Sequence, residues 1–191
     1  SENQVADTSG AWNLILVDRD HYIPANYQVE LTELSNGEKV DSRIYLELQQ
    51  MFDDARAAGL ALFVREGYRT TKEQQQIMDD RIKEHENQGC SKKEAKKKAE
   101  EYVAIPGTSE HQLGLSVDIN ADTSKCSSDA VYQWLDENAY KYGFVKRYPE
   151  DKTDITSINN EPWHYRYVGK DAARTMKQEN LCLEEYLKKY K

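Results

Sequence analysis

The sequence predicts a single α+β domain, a small antiparallel sheet flanked by helices, and three observations lead there. Segments with helical apolar spacing and segments with strand character follow one another irregularly, without repeated β-α-β units. No glycine-rich phosphate loop opens any of the helices. The length of 191 residues suits one hydrophobic core and leaves too little chain for two.

The elements follow in order. Residues 1–10 are polar and are expected to be a flexible segment, and Ser1-Glu2-Asn3-Gln4 is not a signal peptide. Trp12 to Val17 is a short apolar run between polar neighbours, which predicts a buried strand, and Tyr22 to Tyr27 around Pro24 reads as an extended loop. From Arg43 to Ala58, Ile44, Leu48, Met51, Phe52 and Ala55 recur at helical spacing, with Gly59 placed to end the helix. Leu60 to Val64 predicts a strand. Thr70 with Glu73 three residues on has the capping-box pattern, so a polar helix starts there and runs towards Asn87.

Gly89 breaks that helix, and Ser91 with Glu94 opens a second, Lys92 to Tyr102. Its Lys96-Lys97-Lys98 run is flanked by Glu94, Glu100 and Glu101 and reads as a solvated face. Ile105 to Thr108 is turn chemistry. From Gly114 to Asn120 the pattern alternates, Leu115, Val117 and Ile119 on one side and Ser116, Asp118 and Asn120 on the other, which predicts a half-buried strand. Asp129 to Tyr142 is helical in pattern, Phe144-Val145 and Trp163 to Val168 are strands, and Asp171 to Lys191 is an amphipathic helix.

Composition excludes several classes. A net charge of −8 repels polyanions, so nucleic acid is not expected as a partner. No run approaches the roughly 18 apolar residues of a membrane span. Cys90, Cys126 and Cys182 are far apart with no C-x-x-C pair, which disfavours a thiolate metal site and allows one disulfide at most; unpaired thiols are expected.

Of four histidines, His21 and His85 lie in polar stretches and read as surface residues, whereas His111 and His164 keep unusual company. Catalytic zinc takes three protein ligands from His and carboxylate, and needs a separate carboxylate to accept a proton from water. His111, Asp118 and His164 can supply the first set, and Glu161 the second. Asp118 sits on the polar side of an otherwise apolar strand, where a buried carboxylate needs a cation or a donor. Residues three apart on a regular strand face opposite ways, but Pro162 interrupts the ladder and lets Glu161 and His164 turn together. From spacing alone, a loop histidine, a turn-facing acid and a strand histidine fit equally well.

The stretch Pro106-Gly107-Thr108-Ser109-Glu110-His111-Gln112-Leu113-Gly114-Leu115-Ser116-Val117-Asp118 resembles the S-x-H-x-x-G-x-x-x-D signature of D-alanyl-D-alanine carboxypeptidases of the VanY type, relatives of the D-Ala-D-Ala dipeptidases. Gly67-Tyr68-Arg69-Thr70 with Gln74 is similar to that family's G-Y-R-[ST] block. Tyr142-Gly143-Phe144, Arg147-Tyr148-Pro149 and Glu161 to Gly169 resemble its C-terminal block, and Leu16-Val17, His21 and Pro24 to Tyr27 resemble its start. The likeness runs in order from Leu14 to Gly169. Two departures stand out: Ser116 where alanine is usual and Ser157 where glycine is common. Ser116 shares a strand side with Asp118 and is expected to add a hydrogen bond beside it.

The resemblance implies a hedgehog/D,D-peptidase-like fold, Zn2+ held by His111, Asp118 and His164, and Glu161 as general base. It implies Arg69 beside the scissile carbonyl or the substrate carboxylate, Ser109 and Gln74 lining the substrate pocket, and Tyr68 and Trp163 packed around it. The implied reaction removes a C-terminal D-alanine from peptidoglycan stem peptides, with no obligate protein partner. That substrate lies outside the cytoplasmic membrane, so an extracytoplasmic enzyme is expected, with residues 1–10 following a removed signal or anchor. The same site on tetrapeptide stems or a free dipeptide, and a non-catalytic zinc-stabilised module for wall peptides, are the alternative readings.

Overall fold

The computed structural model describes residues 4–191. In chain order it contains β1 (Gln4–Val5), β2 (His21–Tyr22), β3 (Leu31–Glu33), β4 (Lys39–Asp41), α1 (Tyr45–Ala57), β5 (Leu62–Glu66), α2 (Thr71–Asn87) and α3 (Lys92–Ala99). Then come β6 (Ser116–Ala121), α4 (Ser128–Asn138), β7 (Phe144–Lys146), α5 (Thr153–Thr156), β8 (His164–Tyr167), α6 (Lys170–Glu179) and α7 (Leu183–Tyr190). The α+β class is as predicted.

Four antiparallel strands in the order β5-β6-β8-β7 form the principal sheet. Alternation on β6 divides it into two faces. Leu115, Val117 and Ile119, with Tyr165 of β8, join the main core, where Leu48, Met51, Phe52 and Ala55 of α1 and Val131 and Leu135 of α4 bury their apolar stripes. Ser116 pairs with Arg166 and Asp118 with both His164 and Glu66, so the opposite face carries a row of polar residues across three strands. That face is not solvated as predicted: Ser116, Asp118, His164 and Arg166 are all buried.

Caps set the helix starts. Thr70 Oγ1 accepts from Glu73 N at 3.1 Å and Ser91 Oγ from Glu94 N at 3.2 Å, placing α2 and α3 where the capping patterns predict. The two helices pack on each other around Met78, Ala99 and Val103, a cluster separate from the main core.

Several expectations are corrected. Trp12–Leu14 is a turn of 3-10 helix and the segment to Val17 joins no ladder. Its carbonyls at Asn13 and Ile15 instead accept from the buried Arg166 guanidinium at 3.0 and 2.8 Å, a partner that apolar periodicity does not reveal. The strand expected at 60–64 is Leu62–Glu66. The helix expected to reach Tyr102 stops at Ala99, and that expected over 129–142 becomes 3-10 after Asn138. The C-terminal helix is two, because Asn180 takes a left-handed conformation at φ 52. Of the segment 1–10, residues 1–3 lie outside the described residues, while Gln4–Val5 pair with His21–Tyr22 and Ala6 is buried.

Candidate active site

Three loops and two strands converge on one side of the sheet. Ser109 opens the 3-10 turn Glu110–Leu113 by accepting from His111 N at 3.2 Å, and that turn carries His111 into the polar face. Gly114, left-handed at φ 77, ends the turn and returns the chain into β6, bringing Asp118 opposite His111. The peptide around Pro162 turns so that His164 N donates to Glu161 O at 3.2 Å, and both side chains reach the same place.

His111 Nδ1 lies 2.8 Å from Gly67 O. A carbonyl only accepts, so Nδ1 carries the hydrogen and Nε2 presents a lone pair. That lone pair faces Asp118 Oδ1 at 3.2 Å, and His164 Nδ1 faces the same oxygen at 3.1 Å. The two imidazoles meet edge on, centroids 4.8 Å apart. Gly67 has to be glycine: a Cβ there would stand 2.3 Å from Lys39 O of β4.

The donor set fits a zinc ion. His111, Asp118 and His164 place one ligand atom each within 4.8 Å of one another, all buried. Ligands about 2.0 Å from a tetrahedral centre lie roughly 3.3 Å apart, close to the 3.2 and 3.1 Å that separate Asp118 Oδ1 from the two imidazole nitrogens. Burial lowers the pKa of His111, and two acceptors facing at 3.2 Å repel without a cation between them. Burial opposes charging His164, but the facing carboxylates of Asp118 and Glu110 outweigh it and raise the pKa to about 9. Asp118 is held well below the carboxylate range: burial works against this, and both histidines overcome it.

Glu161 Oε2 is 3.7 Å from His164 Nδ1 and makes no hydrogen bond to it. Its burial pushes the carboxyl up to about 7, against the pull of His164. Arg69 is pinned on three sides, by Glu66 at 3.3 Å, Gln74 at 3.2 Å and Asp118 at 3.5 Å. Gln74 in turn donates to Ala104 O at 2.9 Å.

A cleft of about 440 Å³ opens over this cluster. Ser109, Gln74, Arg69, Trp163 and Glu161 line it with the three candidate ligands, and Arg65 and Arg81 stand on its walls. Tyr68 is not among the lining residues; its N–H bonds Lys39 O at 2.7 Å. Ser116 does not bond Asp118 either, since its hydroxyl donates to Glu110 Oε1 at 3.2 Å. His21 bonds Asp18, away from the cleft, and the three cysteines are free thiols.

Sequence reasoning missed the charges beneath the site. Glu110 Oε2 accepts from Arg147 Nε at 2.9 Å and Arg166 NH1 at 2.6 Å, and Arg147 forms a bidentate pair with Glu184 of α7 at 2.7 and 2.8 Å. The two arginines and Glu110 are about as buried as core leucines. Charged residues ordinarily read as surface, so the one available signal was Arg166 on the same strand side as His164.

The model of the family described as VanY: D-alanyl-D-alanine carboxypeptidase matches residues 37–170. A D-alanyl-D-alanine carboxypeptidase of Enterococcus faecalis (strain ATCC 700802 / V583) is 57% identical over 176 residues, covering 92% of this chain and 66% of the relative. This chain thus spans just under two thirds of that relative's length. Among solved structures, VanYB in complex with D-alanine-D-alanine superposes with a TM-score of 0.93 at 56% identity, over 95% of this chain and 100% of the other. A mutant of the vancomycin resistance D,D-pentapeptidase VanY in complex with Zn(II) gives 0.91 at 57% identity, over 93% and 99%. With the ordered motifs, the converging donors and these likenesses in agreement, the chain belongs to the VanY family of D-alanyl-D-alanine carboxypeptidases.

Proposed function

We propose that this protein is a zinc-dependent carboxypeptidase that removes the C-terminal D-alanine from peptidoglycan stem peptides, working outside the cytoplasmic membrane. The observation that carries the metal reading is the meeting of the His111 Nε2 lone pair with Asp118 Oδ1 at 3.2 Å, an arrangement that calls for a cation. Zn(II) in one related structure and D-alanine-D-alanine in another support the choice of ion and substrate. The extracytoplasmic location rests on where stem peptides are found.

His111, Asp118 and His164 would hold the ion. When bound, it supplies Lewis-acid polarisation and makes water a stronger acid. Glu161, within reach but bonded to neither histidine, takes the proton from the attacking water at a carboxylate oxygen. The water oxygen adds to the carbonyl carbon of the last peptide bond. Arg69, whose fork is fixed by Glu66 and Gln74, faces the negative charge that develops on the carbonyl oxygen or the terminal carboxylate. Glu161 then returns its proton to the departing amine nitrogen, so that water is divided across the broken C–N bond.

The cleft volume, with Arg65 and Arg81 along its walls, suits a peptide longer than a free dipeptide. The test is release of D-alanine from a muramyl pentapeptide by zinc-loaded protein, beside chelator-treated protein and the Glu161→Gln variant, with tetrapeptide in parallel. Release from pentapeptide that needs metal and Glu161 is expected. Release from tetrapeptide alone would overturn the substrate, and no release from either would overturn the enzyme reading.

A further inference from the structure

One imidazole of the site has its orientation explained by a backbone carbonyl: His111 is held by Gly67 O. The far nitrogen of the other, His164 Nε2, is buried with no hydrogen-bond partner among the described residues, and the carboxylate Oε1 of Glu110 stands 3.5 Å from it. This carboxylate belongs to the residue just before His111, at the start of the same 3-10 turn, and is 1% exposed. Its two oxygens have different neighbours. Oε2 takes both guanidinium groups, and Oε1 has the Ser116 hydroxyl and the approach to His164.

We propose that Glu110 is a positioning residue, which holds His164 as the Nε2–H tautomer and so aims the Nδ1 lone pair at the ion. Both buried arginines donate to Oε2 and the Ser116 hydroxyl to Oε1, so the carboxylate is an acceptor in each of these contacts and meets His164 as one too. The hydrogen of a neutral His164 therefore belongs on Nε2, and Nδ1 is left free toward Asp118 Oδ1 at 3.1 Å. The contact of 3.5 Å with Glu110 is longer than an ordinary hydrogen bond, and it is the charged acceptor toward which an Nε2–H would point. Outer carboxylates of this kind fix ring orientation and raise the basicity of the ligand. Here the carboxylate is itself locked, through Arg147, to Glu184 of α7 and, through Arg166, to the carbonyls of Asn13 and Ile15. Two glutamates and two arginines balance in charge, so the neutral, metal-bearing histidine adds no unpaired charge to the interior.

The inference rests on the metal reading of the site, and the experiment separates the two. Zinc affinity is measured by competition with a chelating indicator for wild type, Glu110→Gln and Glu184→Gln, each with a thermal melt. Wild type that binds no zinc removes the metal reading itself. With wild type binding, the proposal expects Glu110→Gln to lose about 10–100-fold in affinity and to shift the visible spectrum of the cobalt-substituted protein. Glu184→Gln, which removes only the far partner of Arg147, should lower the melting temperature and keep wild-type affinity. Equal affinity in Glu110→Gln, or the same loss in both variants, overturns the proposal. Should Glu110→Gln fail to fold, the histidine 15N spectrum of zinc-loaded wild type decides: a proton on Nε2 of His164 supports the role, and one on Nδ1 rules it out.

Discussion

Glu161 Oε2 stands 3.7 Å from His164 Nδ1, beside the nitrogen that faces Asp118 yet beyond hydrogen-bonding reach. A carboxylate so placed keeps its oxygens free to take a proton from a water held beside it. Glu161→Gln keeps the shape and removes the proton acceptor. It is expected to lower kcat by about 10²–10⁴-fold, a usual range for a general base, with one zinc still bound per chain. Steady-state kinetics beside metal analysis checks this, and near wild-type turnover would move the base elsewhere.

Metal binding should release protons. Without metal, burial opposes charging His164 but the carboxylates of Asp118 and Glu110 push it up to about 9, and burial pushes Glu161 up to about 7. A ligating imidazole must be neutral, so at pH 7 binding displaces about one proton from His164, and affinity tightens by about tenfold per pH unit towards 9. Calorimetry in two buffers of different ionisation enthalpy reads this directly. The sign for stability follows from the same groups. Raised folded pKa values contribute stability that is complete below the unfolded values and lost as pH rises, through about 7 for Glu161 and about 9 for His164. Metal-free protein should therefore melt at a lower temperature at pH 9 than at pH 5. Zinc, by replacing the proton on His164, should flatten that profile.

Gly67 couples packing to the site. A methyl group there would meet Lys39 O at 2.3 Å, and the same residue's carbonyl holds His111 Nδ1. Gly67→Ala is expected to cost about 1–3 kcal/mol, the usual penalty of overpacking, and also to weaken zinc binding by shifting that carbonyl. Denaturant unfolding with metal titration tests both. A stability loss with unchanged affinity would show that His111 does not depend on Gly67.

Ser157 adopts φ 64, where side chains are strained. Ser157→Gly relieves a left-handed penalty of about 1–2 kcal/mol and adds unfolded-state entropy worth about 0.5–1 kcal/mol. A small net stabilisation with unchanged kinetics is expected, since the loop conformation is already the one glycine prefers. A destabilised variant in thermal melts would mean that the serine side chain holds the loop.

Much of the candidate site's convergence was legible because its residues are concentrated in short blocks. His111, Asp118, His164 and Glu161 are brought together as their motifs imply, and the α2 and α3 starts follow from hydroxyl caps at Thr70 and Ser91. Long-range polar partners were not legible. The segment from Trp12 to Val17 is apolar enough for a strand, but the Arg166 guanidinium, some 150 positions away, satisfies two of its carbonyls in place of a ladder. Ser116 pointed to Asp118 by alternation, whereas the buried Glu110 beside it captured the hydroxyl. The break at Asn180 left no trace in the apolar pattern, which continues across it from Met176 to Leu183.

Arg166 donates to Asn13 and Ile15 across separations of 153 and 151 residues, and to Glu110 across 56. Loops of that size close slowly, because chain entropy is lost before the contact forms. Until they close, the guanidinium beside the candidate site lacks its shell of acceptors and stays in water. The candidate ligands thus come into register only when remote parts of the polypeptide have met, so competence to bind an ion should emerge among the last events of folding. In a refolding time course, zinc capture should lag behind the appearance of helix.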